Sequence, residues 1–167
     1  MNESDSTKHL HIYLNDHLAG SVSALELLDY LIEHHGQDRF GRFFRDLRDE
    51  VQADQDTLRD LIRRLDAEES SVRKAGAWIA EKLGRVKIAA AGVEDNYGLL
   101  QALEGLVLGI TGKKLLWRSL AEIASRETKL QGIDLARLEK RADEQIERVE
   151  AERLLAARAA LSDRDQT

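Results

Sequence analysis

Four long amphipathic stretches of nearly equal length, about 27 to 32 residues each, fill most of a 167-residue chain that contains no proline. Proline ends helices by removing a backbone donor and clashing with the preceding turn, so here only glycines and short polar clusters punctuate the chain. At 1.5 Å per residue, a stretch of about 30 residues makes a rod of roughly 45 Å. Rods that each carry one apolar stripe bury it against one another, and the pattern predicts an up-and-down helical bundle with no sheet.

The first stretch runs from about His9 to His35, between the polar cluster Asn2 to Thr7 and Gly36, with Leu14, Leu18, Leu25, Leu28 and Ile32 on one face. The second, about Gln37 to Glu68, carries Phe40, Phe44, Leu47, Val51, Leu58, Ile62 and Leu65 in a near-regular 4-3 repeat. A shorter segment, about Val72 to Ala91, follows the cap candidates Ser70 and Ser71 and stops at Gly92. The fourth begins after the turn-rich run Gly92 to Gly98 and reaches about Glu127, aligning Leu99, Leu103, Leu106, Val107, Ile110 and Trp117. The fifth starts near Asp134, just after Gly132, with Leu135, Leu138, Ala142, Ile146, Val149, Ala156 and Ala160 as its stripe. All of this reads as one domain over 1–167, with 1–8 and 163–167 as frayed tails.

Composition removes several functions. There is no cysteine, which closes disulfides, thiolate metal sites and cysteine nucleophiles and suits a reducing cytoplasm. No run approaches the roughly 18 apolar residues of a membrane span, and the start MNESDSTKHL lacks the basic and apolar regions of a secretion signal. A net charge of −6 argues against nucleic acid as a partner, because phosphate neutralisation needs a basic face. The expected location is cytoplasmic.

The order long, long, short, long, long fits two antiparallel hairpins joined by a crossover that contains the shorter helix. The segments YLNDHLAGSVSALELLDYL (Tyr13 to Leu31), AGAWIAEKLGRVK (Ala75 to Lys87) and LLQALEGLVLGITGKKLLWRSL (Leu99 to Leu120) resemble small, uncharacterised bacterial ferritin-like proteins. The resemblance implies an all-α, ferritin-like four-helix bundle. Metal-binding members of that superfamily use one Glu from each of two helices and a Glu-x-x-His from each of the other two. Here all five histidines, His9, His11, His17, His34 and His35, lie on the first helix, and Glu-x-x-His is absent. Glu26 and Glu104 stand at the right depth, but some 100° in helical phase from the apolar faces of their helices. The expectation is therefore no metal and no cofactor. The alternative is a degenerate iron or manganese site built from His17, Glu26, Asp54 and Glu104.

Something should replace the ions in a metal-free bundle. Lys114 falls within about 20° of Leu103 in helical phase, and a buried ammonium needs a carboxylate. Asp54, at an inward mid-helix position beside Gln55, is the expected partner, with His17 as a second one; the competing reading has Lys114 snorkel to solvent. Gln145 is the inward polar position of the last helix. Gly105, Gly109 and Gly112 share one helix, where each costs about 1 kcal/mol relative to Ala, and with Gly20, Ala24 and Gly76 they suggest close helix approach or tight packing of Trp78 or Trp117. A channel lined for a small apolar ligand is the alternative.

GITGKK lacks the spacing of a phosphate-binding loop and no strand precedes it. The run EDNYG lacks calcium-loop spacing and reads as a turn plus cap. No Ser, His and acid are forced together, so the chain leans away from being an enzyme. Two functions remain: a non-catalytic, self-associating interaction or structural protein, or a di-metal carboxylate protein with oxidase or storage activity. The first helix is apolar over more than half its circumference, which predicts a homodimer through Ile12, Tyr13, Leu27, Tyr30 or Leu31. Trp78 and Ile79 would be the intramolecular competitor for that surface.

Overall fold

A computed structural model describes residues 3–37, 39–66 and 95–162. These residues form α1 (Glu3–His35), α2 (Gly41–Asp66), α3 (Asn96–Ile123), a short 3-10 turn (Thr128–Leu130) and α4 (Leu135–Leu161), and no strand occurs among them. The expected short helix from Val72 to Ala91, with Gly76, Trp78 and Ile79, lies outside the described residues. α1 starts earlier than its apolar pattern does, because the polar cluster before His9 is itself helical from Glu3.

Local chemistry sets the helix ends. Asp95 caps α3 by accepting from the backbone N–H of Gly98 at 2.7 Å, and Asp134 caps α4 by accepting from that of Arg137 at 2.9 Å; each satisfies one of the orphan donors of a first turn. Gly132 has φ 80°, the left-handed conformation that lets the chain turn into α4. Between α1 and α2, a Cβ on Gly41 would collide with the backbone of Gly36, so the tight turn requires glycine there.

The buried side chains fall into two clusters. One contains Leu25, Leu28 and Leu31 of α1, Phe44, Leu47 and Val51 of α2, Leu99 to Ile110 of α3, and Ala142, Val149 and Ala156 of α4. The other contains Leu14 of α1, Leu58 to Leu65 of α2, Leu116, Trp117 and Leu120 of α3, Leu130, and Leu135 and Leu138 of α4. Chain order through the clusters gives the directions of the helices. α1 and α4 run from the second cluster to the first, whereas α2 and α3 run from the first to the second. The hairpins α1/α2 and α3/α4 are therefore antiparallel and α2 is parallel to α3, so the chain leaves α2 at one end of the bundle and enters α3 at the other.

The two hairpins contain the most extensive packing, and α1 also packs on α3. α2 meets α4 through long side chains instead: Arg39, just before α2, pairs with Glu152 at 2.6 Å, Arg148 with Glu50 at 2.5 Å, and Arg141 with Asp54. Among the described residues no helix is long and apolar enough to cross a membrane.

Four of the five α1 residues expected at a dimer surface are drawn into this fold. Leu31 is buried, Leu27 and Tyr30 pack on the first cluster, and Tyr13 packs on the second while its hydroxyl donates to Ser119 Oγ at 3.2 Å. Ile12 stays 51% exposed. The larger exposed apolar stripe is on α3, where Tyr97, Leu108 and Leu115 recur at spacings of 11 and 7 residues, the period of one helix face.

Candidate functional site

Between the two apolar clusters, each helix places a polar side chain at a core position. On α2 the core-facing stripe runs Leu47, Val51, Asp54, Leu58; on α3 it runs Leu106, Ile110, the half-buried Lys113, Trp117; on α4 it runs Leu138, Ala142, Gln145, Val149; and the half-buried Ser21 lies between Leu14 and Leu25 on α1. The 4-3 alternation is unbroken in spacing, and only the chemistry changes. The result is a polar layer across the middle of the bundle.

Asp54 is the centre of that layer and is 2% exposed. Its Oδ2 accepts from Lys113 Nζ at 2.5 Å and from Gln145 Nε2 at 3.5 Å, and its Oδ1 accepts from Arg141 Nη2. Lys113 Nζ also donates to Gln145 Oε1. Gln145 Nε2 in turn donates to Glu50 Oε2 at 2.9 Å, which Arg148 also reaches at 2.5 Å. On the other side of Asp54, Gln55 Nε2 donates to Ser21 Oγ at 3.0 Å, and Ser21 Oγ donates to the carbonyl of Leu18 at 2.7 Å. Burial pushes the Lys113 ammonium below its ordinary pKa, and the adjacent Asp54 carboxylate pulls the other way.

The expected Asp54–Lys114 pair is corrected by one residue. Lys114 sits 100° further around the helix, off the stripe that ends in Trp117 and Leu120, and its Nζ reaches outward to Asp143 at 2.6 Å. Phase measured from Leu103 alone selects Lys114, whereas the whole stripe selects Lys113, because the hairpin partner follows an average repeat near 3.5 residues. Arg141 carries no core-periodicity signal; it reaches the layer from the flank of α4 and is 28% exposed.

A cleft of about 240 Å³ opens beside this layer between α1, α2 and α3. Ala24, Val51, Leu58, Leu106, Ile110, Leu116 and Trp117 make its apolar walls, and His17, Asp16, Asp54, Gln55 and Lys113 its polar positions. Among the described residues the close approach expected at the glycines is not found, and Gly76 and Trp78 lie outside them. Gly20, Gly109 and Gly112 line the cleft, and a Cβ at any of them would meet nothing within 4 Å among the described residues; one at Gly105 would just touch Leu27. Among the described residues, these glycines face open space and not a neighbouring helix.

Of the alternative metal set, His17 and Asp54 line the same cleft, whereas Glu26 and Glu104 are exposed. His17 lines the cleft with its ring edge-on to Tyr13 at 4.7 Å, and burial lowers its pKa against the opposing effect of Asp16. Glu26 is exposed on α1, and Glu104 is exposed on α3, where it pairs with Arg153 at 3.4 Å. Asp54 has both oxygens taken by cations. Among the described residues, no three His, Asp or Glu side chains are grouped to hold a metal ion, and the donor set does not fit a dinuclear centre.

Comparison with protein-family models, curated proteins and solved structures finds no match to this chain.

Proposed function

We propose that this chain is a ferritin-like four-helix bundle that acts without catalysis, as a cytoplasmic interaction or structural protein that self-associates. The observation that carries the reading is the commitment of both Asp54 carboxylate oxygens to Lys113 and Arg141. Two side-chain cations stand at mid-bundle, the depth at which di-metal relatives gather carboxylates around their ions. The antiparallel hairpins with α2 parallel to α3 support the ferritin-like part of the reading.

Self-association has its best surface on the outer face of α3, where Leu108 is 74% exposed and Leu115 and Tyr97 lie on the same stripe. The proposed occupant is a second copy of the chain, since a two-fold contact of one helix face with itself is the commonest closed assembly.

Metal analysis of protein purified without chelator tests the non-catalytic reading. The expected content of iron, manganese and zinc is well below about one equivalent per chain, and added Fe(II) or Mn(II) should leave the melting temperature unchanged. Two bound ions per chain, with a metal-dependent rise in melting temperature that Asp54→Asn abolishes, would overturn the reading in favour of a di-metal carboxylate protein.

A further inference from the structure

We infer that the mid-bundle cleft is a binding site for a small monocarboxylate with an apolar body, of the size of a medium-chain fatty acid or a fused-ring aromatic acid. The first support is energetic. Gly20, Gly109 and Gly112 lie inside helices, where each gives up about 1 kcal/mol relative to Ala. A Cβ at each would meet nothing within 4 Å among the described residues. Packing between these described residues does not ask for glycine at any of the three. What the three have in common is the open space of the cleft that they line.

Size sets the body of the ligand. An engineered apolar cavity of roughly 150 Å³ takes up benzene, and this cleft measures about 240 Å³. Its walls are Ala24, Val51, Leu58, Leu106 and Ile110, which offer contact without hydrogen bonding. They suit a hydrocarbon chain or a ring pair.

Charge and donors set the head group. Lys113, which lines the cleft, donates to Asp54 and Gln145, and an ammonium carries a third hydrogen. Trp117 also lines the cleft, and its buried indole N–H has no acceptor among the described residues. Asp54 carries one negative charge against the two positive charges of Lys113 and Arg141, and Glu50 is matched by Arg148. Lys113 is the one Lys or Arg among the described residues lining the cleft, and it is the cation that a single carboxylate would meet there. Asp16 on the α1 side of the cleft disfavours multiply charged anions such as phosphates.

Titration calorimetry of the full chain with octanoate and, separately, 1-octanol tests the inference. A Trp78→Phe form provides a second readout, because it leaves Trp117 as the only tryptophan and its emission then reports the cleft. Octanoate should bind one molecule per chain and shift Trp117 emission. Gly109→Leu, which fills the space with a good helix former, should weaken octanoate by about tenfold or more while the melting temperature holds or rises. Lys113→Met should weaken octanoate by about tenfold and leave 1-octanol nearly unchanged. Absence of binding at millimolar octanoate, or equal binding by wild type and Gly109→Leu, would overturn the site; equal octanoate binding by wild type and Lys113→Met would overturn the carboxylate assignment. Metal content plays no part in these readouts, so the inference can fail while the metal-free reading stands, and the reverse.

Discussion

Lys113 on α3 and Asp54 on α2 meet across the diagonal of the bundle, Nζ to Oδ2 at 2.5 Å, although their two parallel helices share no extensive packing of their own. The contact bridges the two hairpins where the apolar clusters leave a gap. Gln145 and Arg141 bring α4 to the same carboxylate, so three helices are registered on one side chain.

The first prediction follows from that convergence. Asp54→Ala leaves Lys113 and Arg141 at mid-bundle without their shared carboxylate and should destabilise by about 3–5 kcal/mol. Lys113→Met leaves Asp54 paired with Arg141 and removes one donor from Gln145, which should cost about 1–2 kcal/mol. The double variant should fall short of the sum by about 1–3 kcal/mol in urea unfolding, the signature of direct coupling. Additive losses would mean that the pair contributes nothing jointly.

Alkaline pH gives an independent view of the same lysine. Burial holds the Lys113 pKa below its ordinary 10.5, so between the folded value and 10.5 the unfolded chain binds more protons than the folded one. Stability attributable to this group therefore rises with pH across that window. The wild-type advantage over Lys113→Met should grow as pH approaches about 10.5, measured as the difference in unfolding free energy so that the remaining lysines and tyrosines cancel. A difference that shrinks over this range would place the ammonium in a better-solvated setting.

His17 supplies the acid-side counterpart. Its pKa is lowered from 6.5, chiefly by burial, so on acidification the unfolded chain takes up the proton first and stability is lost as pH falls below about 6.5. His17→Gln should remove part of that loss, and the two proteins should differ less at pH 5 than at pH 7 in favour of the wild type, with values here set by the ordinary histidine range of about 6.5. An unchanged difference across the range would show that the ring is as well solvated folded as unfolded.

Much of this is legible in the sequence, for reasons particular to each element. The stripes of α2 and α4 follow a 4-3 rhythm that the sequence displays directly, so Phe44, Val51, Leu58, Ala142 and Val149 stand out as core from spacing alone. Asp54 and Gln145 are legible for the same reason, as polar residues at apolar positions of the rhythm. Lys113 gives way to Lys114 in a sequence reading because phase error accumulates over the 11 residues from Leu103, and only the stripe taken whole identifies Lys113. Arg141 is not legible, since a long side chain reaching in from a helix flank has no periodicity. The glycines are visible as a pattern, but whether they admit a helix or leave a space depends on how far apart α1 and α3 stand, a property of the assembled bundle.

The glycines divide into two kinds that substitution should separate. Gly20→Ala, Gly109→Ala and Gly112→Ala should each raise stability by about 0.5–1 kcal/mol, since the new methyl group meets nothing among the described residues and the helix gains propensity. Gly41→Ala should instead destabilise, because its Cβ collides with the backbone of Gly36. Thermal or urea unfolding of the four variants decides; a loss at Gly109 or Gly112 comparable to that at Gly41 would mean that the space beside α3 is already filled.

The last prediction concerns the outer surface. Leu31 is buried and Tyr13, Leu27 and Tyr30 are half-buried against the core, which leaves Ile12 the most exposed of the α1 set, and Ile12→Asp should leave the solution mass unchanged. Leu108 and Leu115 lie one above the other on α3, two turns apart and away from the core, so a two-fold contact there would bury both leucines from each copy. Each fully buried leucine contributes about 1.5–3 kcal/mol, enough for two charges placed at those positions to break a modest dimer. If the proposed dimer uses this face, Leu108→Glu combined with Leu115→Glu should therefore convert it to a species near the 18.8 kDa chain mass in light scattering across a dilution series, with the melting temperature at high dilution unaffected. A wild type that stays monomeric at every concentration, or dissociation by Ile12→Asp and not by the α3 pair, would remove the α3 face as the self-association surface.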